Sequence, residues 1–173
     1  DHRDLGGRHM TLIGLDLDRR KLLKEGIAKR VPNNAFKDTL RDMGDEWHGR
    51  FLPMHFDESA YSRYGFTQRK GGNMSPGAKG YKSSYVGRKR KRLGHNRPLE
   101  FTGEGRMLAM GPAKIRGTNK EARVVLPSKF NFRHPKSRIS MRDEITRVLP
   151  DEARTLVDHG RGRLKKLIDR PLF

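Results

Sequence analysis

Two groups of residues have the types that chemistry requires. The first is His48 and His55, with Glu46, Asp57 and Glu58 close by in the chain. Imidazoles and carboxylates together can ligate a metal ion. Their spacing matches no paired-ligand motif, and the chain has no His-x-x-x-His. Surface or capping histidines are therefore the expectation. The second group is carboxylic: Glu100 and Glu104 straddle Thr102-Gly103, and Asp143 and Glu144 are adjacent. A metal nuclease needs clustered carboxylates with a Lys or His base. Adjacent side chains commonly point apart, and three residues of open structure separate Glu100 from Glu104. The chain has no cysteine, which excludes a disulfide framework, a thiolate zinc site and a cysteine nucleophile. No nucleophile elbow is present, and no Gly-Lys-Ser/Thr closes a glycine run as in a P-loop. The expectation is a protein that is not an enzyme and has no catalytic, cofactor or metal residues.

What remains is charge. Of 173 residues, 39 are Lys or Arg and 20 are Asp or Glu, for a formal net charge of +19. Such a field attracts polyanions without sequence preference. The cations cluster between Arg63 and Arg97, where eleven occur with no Asp or Glu: Arg63, Arg69, Lys70, Lys79, Lys82, Arg88, Lys89, Arg90, Lys91, Arg92 and Arg97. These eleven are the candidate partner-facing or DNA-facing residues. Tyr61, Tyr64, Phe66, Tyr81 and Tyr85 are interleaved with them. Aromatics beside cations can stack on bases while the cations meet phosphates, and they can equally pin a loop to its own domain or to a neighbouring subunit. Gly71-Gly72, Pro76-Gly77 and Gly80 interrupt any regular element. So many like charges should repel, giving an exposed basic arm or long loop over residues 63–97 unless an acidic partner neutralises it.

The elements around that arm follow from periodicity. Alternation in Thr11 to Leu17 predicts a short strand, and Asp18 can cap a helix through Leu22, Leu23, Ile27 and Ala28. Ala35, Phe36, Leu40, Met43, Trp47 and Phe51 recur at helical spacing within 32–52, and Pro53 stops that helix. Trp47, the one tryptophan, continues the apolar stripe and belongs to the core. Asp57 to Ser62 adds a short helical turn, and Pro98 to Phe101 reads as a strand entry. Arg106 to Met110 fits a helical turn or a strand. The clearest hairpin joins Ala113–Arg116 to Glu121–Leu126 around Gly117-Thr118-Asn119-Lys120. Phe130, Phe132 and Ile139 are anchors in a polar stretch, and Ile145 to Val148 reads as one more strand. Pro150, Asp151 and Glu152 open a closing helix that runs to about Asp169, with Lys165, Lys166 and Arg170 at its negative end and Gly160 and Gly162 loosening its middle.

The sum is an α+β fold: a long N-terminal helix and a C-terminal helix packed on a small, mainly antiparallel sheet, with the basic arm as an excursion. One domain is expected over 10–173. Residues 1–9 are polar and read as a tag or disordered segment before a natural start at Met10. No apolar run approaches the roughly 20 residues needed to cross a bilayer, so no membrane association is expected.

Several stretches carry a resemblance: Trp47-His48-x-x-Phe51-Leu52-Pro53-x-His55-Phe56; Arg63-Tyr64-Gly65-Phe66-x-x-Arg69-Lys70; Gly94-His95-x-Arg97-Pro98-Leu99-x-Phe101-Thr102-Gly103-Glu104-x-Arg106; and Asn131-x-x-His134-Pro135-x-Ser137 followed by Met141-x-x-Glu144-Ile145. Together they resemble a family of tailed-bacteriophage morphogenesis proteins, the neck and tail-completion (minor tail) proteins. The resemblance spans about 35–156. It implies a small α+β virion subunit at the head–tail junction, assembled in the host cytoplasm. Its implied partners are other junction and tail proteins, copies of itself in a ring, and packaged DNA met without sequence preference. The alternative reading is a non-specific nucleic-acid-binding protein.

Overall fold

The computed structural model describes residues 10–12, 33–100, 102–118, 121–135 and 139–168. The expected helix over 18–28, most of the strand over 11–17, and residues 1–9 lie outside them. The fold is α+β, and the chain divides into two compact units: Asp1–Phe51, Pro112–Ser128 and Val148–Phe173 form the first, Leu52–Gly111 and Lys129–Arg147 the second.

In the first unit, β1 (Met10–Leu12), β2 (Lys114–Gly117) and β3 (Ala122–Leu126) form an antiparallel sheet in the order β1-β3-β2. The β2–β3 hairpin pairs Lys114 with Val125 and Gly117 with Ala122. Thr118 shapes its turn by accepting at Oγ1 from the Glu121 N–H (3.0 Å). Helix α1 (Asn33–Glu46) continues into a π-helical turn, Trp47–Phe51. Phe36, Leu40, Met43 and Trp47, spaced by four, three and four, are all buried. This stripe faces the sheet and the closing helix over Pro150–Ile168. The helix lies so near the sheet that a Cβ on Gly117 would stand 2.2 Å from the Lys37 carbonyl oxygen, so only glycine fits there.

Helix α2 (Ala60–Arg63), α3 (Tyr85–Leu93), α4 (Glu104–Met110) and α5 (Met141–Ile145) belong to the second unit, and α6 (Pro150–Ile168) to the first. Leu156 and Leu164 of α6 are buried, and the Glu152 carboxylate accepts from the Leu149 N–H (3.1 Å) to close its first turn. Gly160 and Gly162 do not interrupt it.

The second unit differs from expectation at several places. Ile145 to Val148 is not a strand: Ser140 Oγ accepts from the Asp143 N–H (3.2 Å) and caps α5 instead. Pro98 to Glu100 is a turn rather than a strand entry, with Leu99 in the left-handed region at φ 56°. The basic stretch is a long loop over 64–84 that leads into a helix, and it is packed rather than fully exposed. Ser84 Oγ accepts from the Gly87 N–H (3.0 Å) to start α3, and Gly94 ends it at φ 77°. Tyr64, Phe66, Tyr81 and Val86, all within the stretch, are buried in the unit, beside Phe56, Phe130 and Ile145. Phe132, expected as an anchor, is largely exposed.

Candidate functional site

The eleven candidate cations divide by burial. Arg63, Lys70, Lys79, Lys82, Arg88, Arg90, Lys91 and Arg92 are exposed, and Arg97 is half-buried. Arg69 and Lys89 are buried, so neither can face DNA. Helical spacing explains Lys89. Val86, Lys89 and Leu93 fall on one side of α3, while Arg88, Lys91 and Arg92 fall on the other. Lys89 donates from Nζ to the Arg97 carbonyl oxygen, and burial lowers its pKa to about 8 against the opposing pull of Glu100. The α3 periodicity was in the sequence, but a count of like charges hides it.

Arg69 is held by a partner 75 positions away. Its guanidinium donates to both Glu144 oxygens, Nη1 to Oε1 at 2.8 Å and Nη2 to Oε2 at 2.6 Å. Burial disfavours the charge, yet the hydrogen bonds and charge of Glu144 outweigh it and raise the Arg69 pKa. Glu144 Oε1 also accepts from the Thr67 N–H (3.3 Å), and its main-chain oxygen lies 3.1 Å from His55 Nδ1. His55 is not the surface histidine expected. It is fully buried, its ring lies 4.1 Å from that of Tyr64, and burial lowers its pKa to about 4. The neutral ring therefore carries its proton on Nδ1, toward the carbonyl. No local signal in the sequence pairs Arg69 with Glu144, or His55 with the α5 backbone.

The remaining candidates have separate surroundings. Glu46 pairs with Arg50 (3.2 Å) on the surface, and Asp57 is exposed. Glu58 accepts from the Asn96 N–H at 2.7 Å. Asp143 points to solvent while Glu144 points inward, so the two do not form a carboxylate pair. Glu104 is exposed and meets Lys129 (3.0 Å), whereas Glu100 is buried with Oε1 3.4 Å from His95 Nε2. Among the described residues, no group of three or more His, Asp or Glu side chains is placed to hold a metal ion.

Glu100 and Leu99 also line a cleft of about 750 Å³ in the second unit. Lys70 and Arg88 contribute cations to it, and Tyr85 and Phe132 contribute aromatic walls. A pocket of this volume is large enough for a small ligand. The arrangement can therefore do two things without bond chemistry: present exposed cations to a polyanion, and accept a group with an apolar face.

No known family model matches the chain, and comparison with curated proteins and with solved structures finds no match. No helix among the described residues is long and apolar enough to cross a membrane.

Proposed function

We propose that the chain is a structural subunit of a tailed-phage particle, acting at the head–tail junction during neck or tail completion. One observation carries this reading. Three of the stretches that resemble the phage family are distant in sequence, yet their residues meet inside the second unit. The Tyr64 and Phe66 rings stack, and the His55 ring lies tilted against both, at separations of 4.1 to 5.9 Å. Arg69 and Glu144 close their ion pair beside them. The histidine, arginine and glutamate in these stretches thus hold one another, which is how residues serve a scaffold. The exposed cations of α3 and its flanks supply a surface for neighbouring subunits or packaged DNA. In this reading copies of the chain form a ring, and other junction and tail proteins bind it.

Antibody raised against the chain and coupled to gold tests this on purified particles. Label at the junction of head and tail is the expected result. Particles that carry the chain elsewhere, or lack it, would count against the proposal. The second reading, a non-specific nucleic-acid-binding protein, is supported by the same cations. It requires a steep salt dependence of binding in the isolated chain and no place in the particle.

A further inference from the structure

The cleft of the second unit has three properties that a scaffold does not need. Lys70 and Arg88 line it and are exposed, so their charges sit at its rim. Phe132 leaves 49% of its surface open, unusual for phenylalanine, with the His134 ring edge-on at 6.3 Å. Glu100 lines the cleft at 8% exposure, and its Oε2 is buried without a hydrogen-bond partner. A buried carboxylate oxygen lacking a donor is costly, and a turn of the Glu100 side chain into the cleft would bring it to a ligand N–H.

We propose that this cleft binds one unstacked nucleotide of a single-stranded nucleic acid. The base lies against Phe132, the phosphate meets Lys70 and Arg88, and a base amino group turns to Glu100. Aromatic faces hold unpaired bases, and rim cations follow the backbone that joins them. A duplex cannot enter in this way, because its bases are already stacked and paired. An acidic peptide would satisfy the rim but meets the repulsion of Glu100 inside. A nucleotide carries its charge at one end and its N–H donors at the other, and so matches both. This inference goes beyond the structural role, since a junction subunit needs no nucleotide site.

Fluorescence anisotropy of the full chain with labelled single strands of about twelve nucleotides tests it. Oligodeoxycytidine, which offers an amino group, should bind about tenfold more tightly than oligothymidine, which places a carbonyl oxygen there. Phe132→Ala alters an exposed side chain, so folding should survive. It should weaken oligodeoxycytidine about tenfold and leave a duplex of equal length unchanged. Lys70→Gln with Arg88→Gln should weaken both. Equal affinity for the two strands, or equal loss of strand and duplex with Phe132→Ala, would overturn the proposal. A peptide of Glu and Leu that binds more tightly than oligodeoxycytidine and depends on Phe132 would overturn it in favour of a protein partner.

Discussion

Replacing Glu144 by Gln removes one partner from an ion pair whose side chains are 8% and 5% exposed. The Arg69 guanidinium stays buried and keeps its charge. Gln offers one acceptor oxygen where the carboxylate offers two, so one of the bonds at 2.6 and 2.8 Å is lost along with the opposite charge. Breaking a buried pair from one side costs about 3–5 kcal/mol. A domain of modest size has about 5–15 kcal/mol in all, so much of the second unit's stability is at stake. With a urea dependence of about 2 kcal/mol per molar, the midpoint should fall by about 2 M. The assay can be read unit by unit. Trp47 lies in the first unit, and the four tyrosines, at 61, 64, 81 and 85, lie in the second. Near-ultraviolet circular dichroism of the tyrosines should therefore record the shift. The double change Arg69→Met with Glu144→Leu should recover most of it, since an apolar pair of similar volume avoids the desolvation penalty. A shift below about 0.5 M for Glu144→Gln would show that water reaches the pair, and the account of the second unit's core would be wrong.

Three further outcomes are expected. The folded-state pKa of His55, about 4, lies below the ordinary histidine value of 6.5, so the unfolded chain binds the extra proton between those values. Stability should be full above about pH 6.5 and fall by about 3 kcal/mol as pH drops to 4; His55→Phe should flatten that part of a urea-midpoint profile. Gly117→Ala should cost the first unit about 1–3 kcal/mol, seen in Trp47 fluorescence, because its Cβ would strike the Lys37 backbone. Changing Arg88, Arg90, Lys91 and Arg92 to Gln should weaken binding to all nucleic acids alike and flatten the salt slope without moving the urea midpoint.

Much of the first unit was legible because its signals are local. The spacing of Phe36, Leu40, Met43 and Trp47 named the buried side of α1, and the hairpin was placed within a residue. Pro150 with Asp151 and Glu152 marked the start of α6. The second unit was harder because its decisive contacts are long-range. A window from Arg63 to Arg97 contains no acid, yet Glu58, Glu100 and Glu144 from outside it contact or neighbour that segment. Charge repulsion counted within the window points to an exposed arm or long loop unless an acidic partner neutralises it, and Glu144, 75 positions away, is such a partner for Arg69 in the packed loop. Ile145 to Val148 was misread for a related reason: β-branched residues favour a strand in isolation, but the Ser140 cap and the burial of Ile145 favour a helical turn.

The proposal that the chain joins heads to tails is tested most directly by electron microscopy of lysates from a phage whose copy of its gene is disrupted. Filled heads and separate tails should accumulate, and adding the purified chain should join them into infectious particles. The Glu104→Gln chain should restore joining as well as the natural one, since that exposed carboxylate meets only Lys129 in a surface ion pair. Normally joined particles in the absence of the chain, or joining that fails with Glu104→Gln while the fold is intact, would contradict the account.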